Sequence, residues 1–313
     1  MIATRDAYGK TLVELGKEDQ RITVIDADLS GSTKTALFAK EFPERFFNAG
    51  IAEANMVGMA AGLAAGGMVP FVSTFAVFAS GRAFEQIRQS LAYPGVPAKV
   101  VATHGGITVG EDGGSHQSVE DLAIMRSLPN MTVLCPADGP ETAAAIRAVA
   151  ASDGPVYVRL GRAKVPVVFD EDAEFQIGRG RVVREGSDMT FVTTGLMTAR
   201  ALEAAEILDE ENISARVLHL GTIKPLDVDR VLAAARETGA VVTAEEHSVI
   251  GGLGGAVCET LSEGFPVPVE RVGLRDVFGQ SGKADELLEH YGLTPAHLVE
   301  AAERVLKRKE GAR

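Results

Sequence analysis

The sequence predicts an α/β protein made of two consecutive doubly wound parallel-sheet domains. Three observations lead there. Short β-branched runs alternate with longer Ala- and Leu-rich stretches; the runs are apolar almost without interruption; and the rhythm breaks once, between residues 163 and 180, before it resumes. Strands covered by helices on both faces need such continuous apolar character, whereas half-exposed strands alternate. A chain of 313 residues is also longer than a single hydrophobic core usually supports.

In chain order, RITVIDAD (21–28), MVPFVST (68–74), AKVVATHGG (98–106), MTVLCPAD (131–138) and PVYVRL (155–160) read as strands. ETAAAIRAVAAS (141–152) reads as the helix after the fourth of them. AKVPVVFDEDAEFQIGRG (163–180) brings proline, an acidic run and glycines, the composition of a linker. A second set then follows: DMTFVTTG, ARALEAAEILDEEN, SARVLHLG, VDRVLAAARETG and AVVTAEE. The expected division is a first domain at 1–165, a linker at 166–180 and a second domain at 181–313. Neither tandem repeats nor coiled-coil heptads interrupt this pattern.

Residues 54–81 carry no charge and on count alone could span a bilayer. Asn55, the Gly66-Gly67 pair, Pro70, Ser73 and Thr74 instead divide the run into a small-residue helix, a turn and a strand. The net charge of −12 repels phosphate backbones and anionic lipid, so neither nucleic acid nor membrane is an expected partner. The basic run Lys307, Arg308 and Lys309 stands among acids in a helical tail and reads as a solvated helix end. Cys135 and Cys258 lie far apart without metal-ligand spacing, and MIATRDAYGK lacks an apolar signal region; a reducing cytoplasm is the expected location.

Glu53, in GIAEANMVGMAAGLAAGG (50–67), is the only ionisable side chain between Arg45 and Arg82. It reads either as an acid at a helix start, where the dipole favours it, or as a carboxyl in an apolar pocket with no local cation, able to share a proton with a ring nitrogen. Phe75 and Phe78 are core residues or a platform for a planar heterocycle. THGGITVGEDGGSHQ (103–117) gathers His104, Asp112 and His116 among glycines after a strand, a place where α/β sheets bind ligands. VIGGLGGAV (249–257) lacks the register of a dinucleotide-binding loop, and His247 before it reads as structural. P-loop, HExxH and GxSxG patterns are missing, which leaves the chemistry to the first domain.

With IATR, DADLSGS, GIAEANM, TFAVFASGRAFEQIR, GEDGGSHQSVEDLAIMRSLPNM, PADG, YVRLGR and DVFGQSGKADEL, the chain resembles the C-terminal half of transketolase along nearly its whole length. The resemblance implies a thiamine diphosphate pyrimidine-binding domain followed by a transketolase C-terminal domain. It implies that Glu53 hydrogen-bonds N1′ of the aminopyrimidine, which lets the coenzyme's exocyclic nitrogen take the thiazolium C2 proton. Phe75 and Phe78 match the aromatic residues packing on that ring, and Asp28 matches an acid close to the coenzyme. Arg5, Ser32, His104 and Arg159 match residues holding the sugar phosphate. Asp112 matches the carboxylate reading a substrate hydroxyl, and His116 the histidine near the reacting hydroxyl.

Two departures qualify the match. GEDGGSHQ and Gly105-Gly106 stand where the family has GEDGPTHQ and Asp-Ser, which is expected to loosen the loop and alter acceptor preference. The GDG…N motif that binds Mg²⁺ and the diphosphate is missing, so no metal ligand is expected on this chain. The resemblance therefore implies the smaller subunit of a split transketolase: Mg²⁺ and the diphosphate on a separate N-terminal subunit, two copies of each chain, and phosphorylated sugars as substrates. The alternatives are another thiamine enzyme (a 1-deoxyxylulose-5-phosphate synthase-like subunit or the β chain of a 2-oxoacid dehydrogenase's decarboxylase) and a non-catalytic partner. Retention of Glu53 and the loop histidines argues against the last.

Overall fold

The computed structural model describes residues 1–311. Its larger sheet has seven strands in the spatial order Thr222–Lys224, Thr132–Leu134, Val156–Arg159, Lys99–Thr103, Val69–Phe75, Ile22–Asp26 and Phe46–Asn48. Ile22–Asp26, Lys99–Thr103 and Val156–Arg159 are buried along their whole length. Helices Thr4–Glu18 and Gly139–Ala150 pack together against one side of this sheet, where Tyr8, Leu12, Ile146 and Val149 join Val24, Phe71 and Val158 in one core. Met56, Val57 and Ala60 of helix Glu53–Ala65 fill the other.

The uncharged run at 54–81 resolves as its composition predicts, into helix Glu53–Ala65, a turn at Gly66 and Gly67, and strand Val69–Phe75. Among the described residues no helix is long and apolar enough to cross a membrane.

The second sheet has five strands, in the order Val269–Leu274, Val241–Ser248, Met189–Thr193, Ala215–His219 and Arg181–Arg184. Both sheets depart from the all-parallel expectation at one edge. Arg181–Arg184 runs antiparallel to Ala215–His219, and Thr222–Lys224 runs antiparallel to Thr132–Leu134. Each short strand covers an edge whose backbone groups would otherwise be left open. Because Thr222–Lys224 comes from the second half of the chain, that half completes the first half's sheet.

Between the halves, Glu141 at the start of helix Gly139–Ala150 meets His219 at 2.8 Å, with both side chains almost fully buried. The linker stretch is mostly irregular; just before it, Lys164–Val165 pairs antiparallel with Ile2–Ala3 within the first half.

Candidate active site

The chain leaves strand Ile22–Asp26 for the edge strand Phe46–Asn48 and returns across it to Val69–Phe75. Reversals of this kind open a crevice beyond the carboxyl ends of the strands, where open α/β sheets bind ligands. Asp26, fully buried there, accepts hydrogen bonds from Leu29 N (2.6 Å), Thr33 Oγ1 (2.7 Å) and Thr35 Oγ1 (2.8 Å). Burial pushes its pKa up, against the pull of these donors. The knot shapes the turn carrying Asp28, which is exposed and accepts from Asn48 Nδ2 at 2.9 Å. Asp28 (φ 64), Lys34 (φ 73) and His104 (φ 59) all adopt left-handed backbone at this crevice. Such strain in non-glycine residues persists where the surroundings impose it, as at ligand sites.

Glu53 opens helix Glu53–Ala65 and is only 5% exposed. It does have a local cation, contrary to the expectation: Arg82 Nη1 donates to Glu53 Oε1 at 2.8 Å. The two residues are far apart in sequence, but helix Ala76–Arg82 follows Val69–Phe75 directly and its last residue reaches back over the start of Glu53–Ala65. Phe75 ends that strand and Phe78 sits on the helix; their rings are nearly parallel, 5.7 Å apart at 13°. His104 stacks on Phe75 at 3.8 Å, and His116 meets Phe75 and Phe78 edge-on at 6.3 and 5.6 Å.

Arg5, Ser32 and His104 come together. Arg5 Nη1 donates to the Ser32 carbonyl at 3.0 Å and lies 3.3 Å from His104 Nε2, while Arg5 Nε is buried without a partner. Burial, then the charges of Arg5, Arg162, His116 and Lys34, pull the His104 pKa down to about 3. The ring is therefore neutral, Nε2 accepts from Arg5, and Nδ1–H donates to Thr103 Oγ1 at 2.8 Å, the tautomer this hydrogen-bond network requires.

Arg159 is not part of this cluster. Its guanidinium is 4% exposed, with Nε 3.2 Å from Asp121 and Nη2 donating to the carbonyls of Ser118 (3.1 Å) and Glu246 (2.8 Å). The fully buried Asp121 carboxylate needs that cation, so Arg159 serves the seam between the halves. Arg162, three residues on, is half-buried, donates to the Val109 carbonyl and stands 3.4 Å from Glu111. Arg162 and Lys34, the latter 3.5 Å from Asp6, are the cations near His104 that sequence reasoning missed. The available signals were the second arginine of RLGR, beyond the strand, and the single lysine in DADLSGSTKT.

The loop at 104–117 places Asp112 exposed and His116 half-buried, with its Nδ1 3.0 Å from Ser115 Oγ. This loop is braced, where the sequence led us to expect a loosened one. Thr108 N donates to Glu246 Oε1 at 2.7 Å, and Gln117 Nε2 to the Gln280 carbonyl at 2.9 Å. A Cβ on Gly106 would collide with the Glu246 carboxyl, and one on Gly114 would stand 2.6 Å from the Gly279 carbonyl oxygen. The glycines are thus where the second half presses against the loop. Glu246 is buried, and burial raises its pKa despite Arg159 and Thr108.

His247 is buried and accepts from Ala123 N at 3.3 Å, which fits a structural role. At the start of helix Leu253–Gly264 the N–H groups of Leu253 and Gly254 donate to Glu245, at 2.7 Å each, so the chain's own carboxylate already stands there. Among the described residues, no group of three or more His, Cys, Asp or Glu side chains is placed to hold a metal ion.

Two family models match: "Transketolase, pyrimidine binding domain" over residues 1–167 and "Transketolase, C-terminal domain" over residues 178–298. The chain belongs to the transketolase family. A putative transketolase C-terminal section from Methanocaldococcus jannaschii is 54% identical over 292 residues, covering 92% of each chain. A 6-deoxy-6-sulfo-D-fructose transketolase subunit from a Clostridium species is 47% identical over 305 residues, covering 97% of this chain and 95% of the relative. A solved structure described as a split-gene transketolase, inactive β4 tetramer, superposes with a TM-score of 0.93 at 58% identity, covering 99% of this transketolase chain and all of the other.

Proposed function

We propose that this chain is one subunit of a thiamine-diphosphate-dependent transketolase that moves a two-carbon glycolaldehyde unit from a ketose phosphate to an aldose phosphate. The carrying observation is the placement of the buried Glu53 carboxyl beside the parallel rings of Phe75 and Phe78, at the same sheet end as the Arg5, Ser32 and His104 cluster. A flat ring bearing a basic nitrogen suits the first group of residues, and a phosphate suits the second. The buried, unpartnered Arg5 Nε is a donor that an anion's oxygen would satisfy.

Thiamine diphosphate would supply the carbanion chemistry that breaks and forms the C2–C3 bond. Glu53 would hold a proton against the ring nitrogen, where burial keeps it shared instead of lost to water. Phe75 and Phe78 would pack the ring. Arg5, Arg162 and Lys34 would bind the phosphate by charge, with Ser32 at the turn, and neutral His104 would add one directional hydrogen bond. Arg159 would act one step removed, by holding Asp121 and the backbone of Ser118 and Glu246 behind the loop. Asp112 would receive a substrate hydroxyl, and His116, edge-on to both rings, would carry or orient the proton of the reacting hydroxyl. Asp28 lies at the rim, where it would border the coenzyme.

The diphosphate and Mg²⁺ would sit on a separate N-terminal subunit, in a heterotetramer with two copies of each chain. Two similarities support this reading: a relative covered almost end to end is described as a C-terminal section, and the similar solved β4 tetramer is described as inactive. The test is ketol transfer from xylulose 5-phosphate to ribose 5-phosphate with thiamine diphosphate and Mg²⁺, for the chain alone and with its copurified partner. Activity only in the second case is expected. Full activity of the chain alone would overturn the division of labour.

A further inference from the structure

The contact between Arg82 and Glu53 is more specific than an ordinary surface ion pair. The Arg82 guanidinium donates Nη1–H to Glu53 Oε1 at 2.8 Å, and its central carbon lies 4.0 Å from the centroid of the Phe78 ring. One N–H on the buried carboxyl and a planar group over the phenylalanine ring occupy the two positions that the proposed aminopyrimidine would take, its ring nitrogen at the carboxyl and its face on Phe78. Guanidinium and aminopyrimidine share that flatness, although the guanidinium donates to Glu53 whereas the ring nitrogen would accept from it. They cannot both hold the same carboxyl oxygen and the same ring face.

Little else fastens Arg82. Its side chain is 52% exposed, against 5% for Glu53, and among the described residues it makes no other hydrogen bond. The bland account, a cation ending a short helix, explains neither its reach to Glu53 nor its stacking on Phe78. What the contact does achieve is to pair a carboxylate that burial would otherwise leave uncompensated.

We infer that Arg82 is a placeholder for the coenzyme's aminopyrimidine. This rests on the reading above that thiamine diphosphate binds at Glu53, and it adds that loading is an exchange: the guanidinium swings to solvent as the ring takes its two contacts. No carbon bond is made or broken: the guanidinium leaves Glu53 Oε1 and the Phe78 face, the ring takes both places, and the carboxylate takes up one proton from solvent, which it then holds against the ring nitrogen. Apparent coenzyme affinity is then lowered by the fraction of subunits in which Arg82 is docked.

The experiment is calorimetric titration of thiamine diphosphate, with Mg²⁺ present, into the assembled complex carrying wild-type chain or Arg82→Met. Methionine keeps a flexible stem over Phe78 and removes the donors and the charge. From the worth of a half-exposed ion pair, Arg82→Met is expected to bind coenzyme about fivefold more tightly, with the KM for sugar phosphates unchanged. Equal or weaker binding by Arg82→Met would overturn the inference, since an arginine that merely supports Glu53 would loosen the site when removed. If neither the wild-type complex nor the variant binds thiamine diphosphate, the coenzyme reading itself fails and the exchange falls with it. Arg82→Lys serves as a second variant: a charge without a flat face is expected to bind coenzyme more tightly than wild type, and affinity equal to wild type would refute the shape argument.

Discussion

His104 offers the most quantitative test of the site's electrostatics. An unfolded histidine titrates near 6.5, whereas in the folded chain burial and the surrounding cations pull the value down to about 3. Between these values the unfolded state binds a proton that the native state refuses, so stability falls as pH drops from 6.5 toward 3. At pH 5 the unfolded imidazole is almost fully protonated and the native one is not, which costs roughly 2 kcal/mol relative to pH 7.5. Replacing the ring by an amide, His104→Asn, removes the titration and keeps a polar group beside Arg5 and Thr103. Urea unfolding of both proteins at pH 7.5 and 5.0 isolates the effect, because other groups titrate alike in each and cancel in the difference. The variant is expected to lose about 2 kcal/mol less than wild type on acidification. Equal losses would show that the native ring takes up its proton freely, and the neutral, Arg5-accepting tautomer would be wrong.

The two arginines of RLGR should separate cleanly. Arg159→Met leaves the fully buried Asp121 without its cation and is expected to cost about 3–5 kcal/mol of stability, read by denaturant unfolding. Arg162→Met should leave stability within about 1 kcal/mol and raise the KM for phosphorylated sugars about tenfold or more; the opposite pattern would return Arg159 to the phosphate. Gly114→Ala, with its Cβ aimed at the Gly279 carbonyl, should lower stability by about 1–3 kcal/mol, seen as a reduced Tm. An unchanged Tm would mean that the 276–282 segment yields easily.

The central strands were legible because burial on both faces leaves one solution for runs such as VPFVSTF and KVVAT, while Thr222–Lys224 and Arg181–Arg184 escaped notice. Short edge strands carry little apolar signal, and their pairing is set by which sheet edge stands open. Around the site, the resemblance to transketolase singled out Arg5, Ser32 and His104, which the fold brings into contact. It did not find Arg82, because a partner so distant in sequence appears only once a strand and a helix fold back between them. Arg159 and Arg162 look equivalent in sequence, and the register of strand Val156–Arg159 separates them, committing the first to Asp121. Replacement of proline by Gly114 suggested slack only because the segment pressing on it lies in the other half of the chain.

In the proposed function, Glu53 works on the coenzyme's ring nitrogen. Its most direct test is the turnover of the assembled enzyme carrying Glu53→Gln, measured at saturating thiamine diphosphate with coenzyme occupancy checked in the same sample. An amide keeps the shape and the hydrogen bond but cannot exchange a proton. Coenzyme is expected to stay bound, with turnover reduced by about a hundredfold or more. Near-normal turnover of fully loaded Glu53→Gln enzyme would contradict it.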